Sequence, residues 1–363
     1  MPETVTFSSP VAGSSVHQPT VSVLLSVYNG ASSLPRAIDS ILRQSWKDFE
    51  CILIDDGSSD ASRAIIESYA QRDKRIVPIL DSANLGLTRR LNQGVGLARG
   101  RYIARQDADD SSHPDRLAKQ VAFMETHPLV GLLGTAAQVM DARGHPVGKH
   151  LINPCTHTEQ RWRLILTNPF FHTSVMFRRQ LVVDNPYDES LRYGQDYELW
   201  GRLLQFTRGA NLPDTLVLLG RDDQRISVRH GEQQFAQGLG VMKQRLCALL
   251  PNTQWDADLV RMMRQITQSH WPTPNETALA WQWVLRLFIA FSRQEHLNPN
   301  MVLTIRRQLI QHLLLSLSSP TGPRLTAPLL ALFLTRFAHD SFPILFRDLK
   351  KRLLSKPKRE FTS

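Results

Sequence analysis

The run Tyr102-Ile-Ala-Arg-Gln-Asp-Ala-Asp-Asp110 places three carboxylates, Asp107, Asp109 and Asp110, within four residues. Negative charge packed this densely is unfavourable unless something positive is held against it. Oxygen-only ligands select a hard divalent cation, Mg²⁺ or Mn²⁺, and Mg²⁺ is usually held through one or two carboxylates plus substrate phosphates. A solvated acidic loop is the competing reading of an Asp-x-Asp, and the surrounding chain has to choose between them.

The elements that position these carboxylates follow from the apolar pattern. Tyr102, Ile103 and Ala104, preceded by Gly100, form a short buried strand whose C-terminal end carries the acidic cluster. Upstream, Val21–Val27 is a buried strand ending in the turn Tyr28-Asn-Gly30. Ser32 or Ser33 caps a helix with Pro35 in its first turn, and Ala37, Ile38, Ile41 and Leu42 form its inward stripe. Residues 49–54 form a second strand ending in Asp55-Asp-Gly-Ser-Ser-Asp60. A helix through Ile65, Ile66 and Tyr69 follows, then a third strand at 75–80, the turn Asn84-Leu-Gly86 and a helix to Ala98.

Strands alternating with helical patterns predict an α/β fold with a parallel, doubly wound sheet. Ligands of such sheets bind outside the carboxyl ends of the strands. Tyr28, Asp56, Asn84 and Asp107 to Asp110 all fall at that edge. Four polar clusters on one sheet edge mark an active site where one alone would not.

Pro114, Arg116 and Leu117 open a helix to Thr126, and strands are predicted at 130–134, 136–140 and 175–177. A helix from Gln195 carries Asp196 and Glu198, and Asp196 in its first turn offsets the helix dipole, worth about 0.3–1 kcal/mol. Beyond Gly231 helical periodicity takes over, with segments near 232–249, 255–268, 275–292, 298–317 and 325–353. Trp281, Trp283, Leu285, Leu287, Phe288 and Phe291 read as core. The expected organisation is therefore a disordered lead-in over 1–19, an α/β domain over 20–230 and a helical C-terminal region over 231–363.

The composition is that of a globular protein, with 42% apolar and 21% charged residues. The charge is basic, 43 Lys+Arg against 33 Asp+Glu. From Ser341 onward Arg347, Lys350, Lys351, Arg352, Lys356, Lys358 and Arg359 face only Asp348 and Glu360. Such an end, beside the apolar run 329–337, suits an anionic membrane surface. Cys51, Cys155 and Cys247 lie far apart without metal-type spacing, which predicts reduced thiols and a cytoplasmic protein, and the basic end adds a peripheral position at the inner face of the membrane. The N-terminus has no basic start and no secretory apolar core. No uncharged apolar run is long enough to span a bilayer.

These residues together resemble the inverting family 2 glycosyltransferases of GT-A fold. Residues 21–29 resemble that family's first strand and nucleotide-contacting turn, and Ile54-Asp-Asp-Gly-Ser-Ser-Asp60 its second signature. Asn84-Leu-Gly-Leu87 with Leu91, Asn92 and Gly94 resembles the third. Tyr102–Asp110 followed by Pro114-Asp-Arg-Leu117 is similar to the metal motif and its downstream helix, and Gly194-Gln-Asp-Tyr-Glu-Leu-Trp200 to the motif carrying the catalytic base. The likeness covers the first 230 residues.

The resemblance implies a GT-A domain with a mostly parallel central sheet and a nucleotide-diphospho-sugar donor, most often a UDP-sugar. It implies Ser26 and Tyr28 flanking the base, Asp56 accepting from uracil, Asn84 on the donor side and Asp107 at ribose or metal. Asp109 would be the main Mn²⁺ or Mg²⁺ ligand and Asp196 the general base, with Glu198 as its fallback. His172 resembles a position near the acceptor pocket. The acceptor would be a glycan or lipid-linked hydroxyl, as in surface polysaccharide or lipopolysaccharide assembly. The chain departs from the pattern at Leu219–Ser227, where Asp222 or Asp223 stands in place of a histidine and His230 lies further on.

Two other readings compete. A nucleotidyltransferase would want a Gly-rich basic loop after the first strand, yet no Lys or Arg precedes Arg36 in that turn. A non-catalytic scaffold binding membrane or nucleic acid through the basic end would have no need of carboxylates at 56, 107, 109 and 196. The chain also lacks the interleaved aromatic and basic pattern of a nucleic-acid binder.

Overall fold

The structure is a computed structural model, and it describes residues 18–220, 231–267 and 273–318. The lead-in over 1–17, the Asp222/Asp223 and His230 segment, the helix expected at 325–353 and the basic end all lie outside the described residues. The chain forms two compact units. The first comprises Met1–Ile152, Phe170–Glu189 and Leu212–Asp222, and the second Asn153–Pro169, Ser190–Asn211 and Asp223–Ser363.

In the first unit, strands β1 (Val21–Val27), β2 (Phe49–Asp56), β3 (Ile76–Asp81) and β4 (Tyr102–Asp107) are parallel, in the order β3-β2-β1-β4. Helices α1 (Leu34–Leu42), α2 (Ser62–Arg72) and α3 (Leu87–Leu97) provide the crossovers that parallel pairing requires. Both faces of β2 are covered, so every one of its residues is buried, including the two aspartates at its end. Helix α3 lies so close to β1 that a Cβ on Gly94 would overlap the side chain of Leu24.

Beyond β4 the sheet changes direction, so the expected mostly parallel sheet is a mixed one. Strand β8 (Met176–Arg178) runs antiparallel to β4, and β6 (Val130–Met140) antiparallel to β8. Strand β7 (Pro146–Leu151) returns from β6 as a hairpin through Asp141–Gly144, where Gly144 supplies a φ of 88°. Among the described strands only the β6–β7 pair is a hairpin; β8 meets β4 and β6 from far along the chain, and it enters the sheet in the reverse direction. The expected strands at 130–134 and 136–140 are one: Gly134 sits in the middle of β6 without breaking it. The two-residue β5 (Ser111–Ser112) pairs with β9 (Arg208–Gly220), of which the part from Leu212 belongs to the first unit. Helix α4 (Arg116–Thr126) turns Leu117, Val121 and Met124 into the core.

The second unit is helical. It contains α5 (His157–Leu164), α7 (Gln195–Leu203), α8 (Gly231–Leu249), α9 (Ala257–Thr267), α10 (Pro274–Gln294) and α11 (Pro299–Ser318), while α6 (Arg179–Asp184) belongs to the first. The division therefore differs from a boundary at residue 230. Trp162 of α5 meets Phe288 of α10 edge-on at 5.4 Å, and the Tyr197 ring of α7 is covered by Arg245 at 4.0 Å and Arg264 at 5.2 Å. Helices α5 and α7 thus share the core of the C-terminal helices. Trp281, Leu285, Leu287, Phe288 and Phe291 are buried, as the periodicity predicts, whereas Trp283 is only half-buried. Among the described residues no helix is long and apolar enough to cross a membrane.

Candidate active site

At the carboxyl ends of the parallel strands the turn after β1 is stitched to the turn after β2. Asn29, at a φ of 50°, receives the Ser59 amide on its Oδ1 at 2.8 Å, and its own N–H donates to Ser58 Oγ at 3.0 Å. The Gly30 N–H reaches Ser62 Oγ at 3.0 Å and the Ala31 N–H reaches Asp60 Oδ2 at 2.9 Å. Although partial burial works against it, hydrogen bonds from Ser62 and the Ala31 amide hold the Asp60 carboxyl below the usual range. This stitching leaves Tyr28, 54% exposed, standing over the sheet edge, with half-buried Ser26 behind it on β1.

Asp56 is enclosed. Its Oδ1 accepts from the Leu85 amide at 2.8 Å and from Arg90 Nε at 2.6 Å, and its Oδ2 accepts from the Gly86 amide at 3.0 Å. Arg90 is equally buried and also grips Asp81 and the Ala83 carbonyl, the latter at 2.6 Å. Opposite this turn, Gly57 has a φ of 73° and approaches the Ala83–Asn84 backbone so closely that a Cβ would lie 2.8 Å from it. Asp56 therefore fixes the 82–86 loop that presents exposed Asn84, and part of its acceptor capacity is already used within the chain.

Register places Asp107 of β4 beside Ser26 of β1. Asp107 is partly exposed, and its Oδ1 accepts from Arg105 Nη2 at 2.6 Å. Its amide donates to Thr173 Oγ1 at 3.1 Å. Asp109 is half-buried, whereas Asp110 is buried and accepts the Gly220 amide at 2.8 Å. A Cβ on Gly220 would collide with the Asp109 carbonyl, so β9 packs directly on the backbone of the acidic turn. The cluster thus divides its labour: Asp110 is a strut, and Asp107 with Asp109 remains at the mouth.

Much of the positive charge these carboxylates require is built in. Arg105 and Arg116 are both buried. Arg116 donates to the Arg105 carbonyl at 2.7 Å, Gln106 Oε1 at 3.1 Å, Ser112 Oγ at 2.9 Å and Gln120 Oε1 at 3.0 Å. Burial, and then the neighbouring Arg105, push the Arg116 guanidinium down to about 9, still far enough above neutrality to stay charged. The apolar pattern and the motifs do not single out Arg90, Arg105 and Arg116 as buried counter-charges. The available signal was an arginine set among apolar residues of a strand (Arg105) or beside the inward stripe of a helix (Arg90, next to Leu91).

No three His, Cys, Asp or Glu side chains gather into a ready metal cage among the described residues. The half-exposed pair Asp107 and Asp109 fits the other mode of holding Mg²⁺ or Mn²⁺, in which one or two carboxylates act together with phosphates brought by the substrate. His172, in a 3₁₀ turn of the first unit, bonds through Nε2 with Tyr187 Oη at 3.2 Å. The Tyr187 backbone is held by Asn92 of α3 through both its amide and its carbonyl, at 2.9 and 3.0 Å.

Asp196 belongs to the second unit, in the first turn of α7 after the left-handed Gly194. Its Oδ2 accepts from Asn168 Nδ2 at 2.7 Å and its Oδ1 from the Tyr197 amide at 2.7 Å. Glu198, two residues on, points to a different face of the helix. Arg202 clamps it at 2.6 and 2.9 Å.

Comparison with known proteins fits this geometry. Residues 22–184 match the glycosyl transferase family 2 model. The amylovoran biosynthesis glycosyltransferase AmsE of Erwinia amylovora is 32% identical over 214 residues, spanning 58% of this chain and 79% of that one. Uncharacterised glycosyltransferases of Haemophilus influenzae (28% identical) and Methanocaldococcus jannaschii (34%) match 55% and 52% of the chain, which spans 64% and 65% of their lengths. In fold, residues 1–349 of TarS from S. aureus, solved with UDP-GlcNAc, superpose with a TM-score of 0.52 at 17% identity, covering 81% of this chain and 87% of that one. A mannosyltransferase of Pyrobaculum calidifontis, solved with GDP-Man and Mn²⁺, gives 0.50 at 17% identity, covering 94% and 86%. The first unit has the GT-A fold, and the chain belongs to glycosyl transferase family 2.

Proposed function

We propose that this chain is a divalent-cation-dependent, inverting glycosyltransferase. It moves a hexosyl or N-acetylhexosaminyl unit from a UDP-sugar to a hydroxyl of a glycan or lipid-linked acceptor in surface polysaccharide assembly. The observation that carries the reading is the single strand mouth of the first unit, where Ser26, Tyr28, Asp56, Asn84, Asp107 and Asp109 all fall. The role of AmsE in amylovoran biosynthesis supports the polysaccharide acceptor, and the UDP-GlcNAc and GDP-Man/Mn²⁺ complexes support a nucleotide-sugar and a cation.

In this reading Tyr28 and Ser26 flank the base, and Asp56, through its remaining acceptor capacity and the loop it fixes, receives the base edge. Asp109, assisted by Asp107, holds Mn²⁺ or Mg²⁺. When bound, the cation supplies Lewis-acid neutralisation of the charge that leaves with the diphosphate. Arg105, bonded to Asp107 Oδ1, orients that carboxylate for the task. The sugar passes through an oxocarbenium-like state, and Asp196 accepts the proton of the incoming hydroxyl as general base. Asn168 sets the orientation of the Asp196 carboxylate, and its oxygens retain lone pairs for the substrate. One displacement inverts the anomeric centre. His172 lies on the acceptor side, and the basic C-terminal end holds the enzyme to an anionic membrane surface.

A panel of nucleotide-sugars with and without Mn²⁺, read by thermal shift, tests the donor half. UDP-sugars should stabilise the wild type when Mn²⁺ is present, and Asp109→Ala should lose that cation-dependent increment. Equal, metal-independent stabilisation of both proteins contradicts the assignment.

A further inference from the structure

The second unit contains, within its own residues, a cavity of about 560 Å³, inside the ~300–1,000 Å³ range of small-molecule sites. Its inner wall is apolar and buried, formed by Leu164, Val241 and Phe291. Facing that wall stand two ion pairs. Arg161 Nη1 meets Glu295 Oε2 at 2.7 Å, and Arg202 holds Glu198 through two nitrogens at 2.6 and 2.9 Å. A third guanidinium, Arg245, donates to the carbonyls of Leu164 (2.6 Å) and Tyr197. Gln205, Gln244 and Gln294 line the exposed rim.

This lining selects its ligand by exclusion. An anion would meet the carboxylates of Glu198 and Glu295 while the guanidiniums are already engaged, Arg161 and Arg202 by those carboxylates and Arg245 by two backbone carbonyls; a cation would meet the guanidiniums. An apolar molecule would strip water from both ion pairs and offer no hydrogen bond in return, which is costly for buried charge. Adjacent hydroxyls satisfy both kinds of partner, because each hydroxyl donates and accepts. The planar amide, carboxylate and guanidinium groups supply donors and acceptors in pairs, while the apolar wall suits the C–H face of a sugar ring. We propose that this cavity is a binding subsite for a neutral saccharide. That the saccharide is the enzyme's glycan acceptor or product rests on the function proposed above; the chemistry of the lining does not.

The test uses the full chain and the neutral tetrasaccharides maltotetraose, cellotetraose and chitotetraose, with binding read by saturation-transfer NMR. At least one should bind. Ala248→Trp, at an exposed position on the cavity wall, should weaken that binding by about tenfold or more and leave Mn²⁺-dependent UDP binding unchanged. Gln294→Ala, a smaller change at the rim, should weaken it as well. Failure of all three probes to bind the wild type, or equal binding by Ala248→Trp, overturns the subsite. Nucleotide binding is read on the same samples, so saccharide binding without UDP binding removes the proposed transferase function and leaves the subsite standing.

Discussion

At the scale of single residues, the most consequential features are charges buried in pairs. Arg90 and Asp56 are both nearly inaccessible and 2.6 Å apart. Removing one partner leaves the other charge uncompensated, and we expect Arg90→Ala to cost about 3–5 kcal/mol in chemical denaturation. Its neighbour Arg89 meets Glu189 on the surface, and Arg89→Ala should cost at most about 1 kcal/mol; equal losses would refute the distinction. His157 supplies a pH test. Burial, then Arg161 and Arg208, lower it from 6.5 to about 4, and its Nδ1 accepts the Gly209 amide at 3.2 Å, which a protonated ring could not do. The unfolded chain binds this proton first, so the contribution is complete above pH 6.5 and is lost as pH falls from there towards 4. His157→Asn should lose less melting temperature over that interval than the wild type, and parallel curves would contradict this. The acidic run was legible because Asp-Ala-Asp-Asp is written in consecutive letters. Its counter-charges were harder to see: the apolar strand around Arg105 hints that it turns inward, but nothing local shows that Arg116 does.

At the scale of elements, what the sequence made visible is what local chemistry dictates. The apolar-rich runs of β1 and β2, interrupted only by Ser22, Ser26 and Glu50 before the terminal aspartates, gave strands covered on both faces, and Pro35 opened α1. Pairing direction depends on partners far away in the chain, so the reversal at β8 was not readable, nor was β7, whose residues are mostly exposed. Helix α10 begins with Thr-Pro-Asn-Glu: the Thr273 hydroxyl accepts the Glu276 amide while the Glu276 carboxylate takes the Thr273 amide at 2.8 Å, a reciprocal cap. Thr273→Ala should destabilise the protein by about 1 kcal/mol, measured by urea unfolding, and no change would show that packing alone sets the start of α10.

At the scale of the molecule, the order of segments along the chain does not follow the two compact units. The chain leaves the first unit at Asn153, returns at Phe170, and crosses again at Ser190 and Leu212. Composition changes at Gly231, which is why a boundary looked natural there, but α5 and α7 carry Trp162 and Tyr197 into the helical core. Asp107 and Asp109 lie in the first unit, and Asp196, assigned above as the base, in the second. That assignment gives the account its sharpest test, which is UDP release from a UDP-sugar in the presence of Mn²⁺ and acceptor, compared between the wild type and Asp196→Asn. The account predicts that Asp196→Asn loses about 10²-fold or more in turnover with its UDP affinity intact. Turnover near that of the wild type would contradict it.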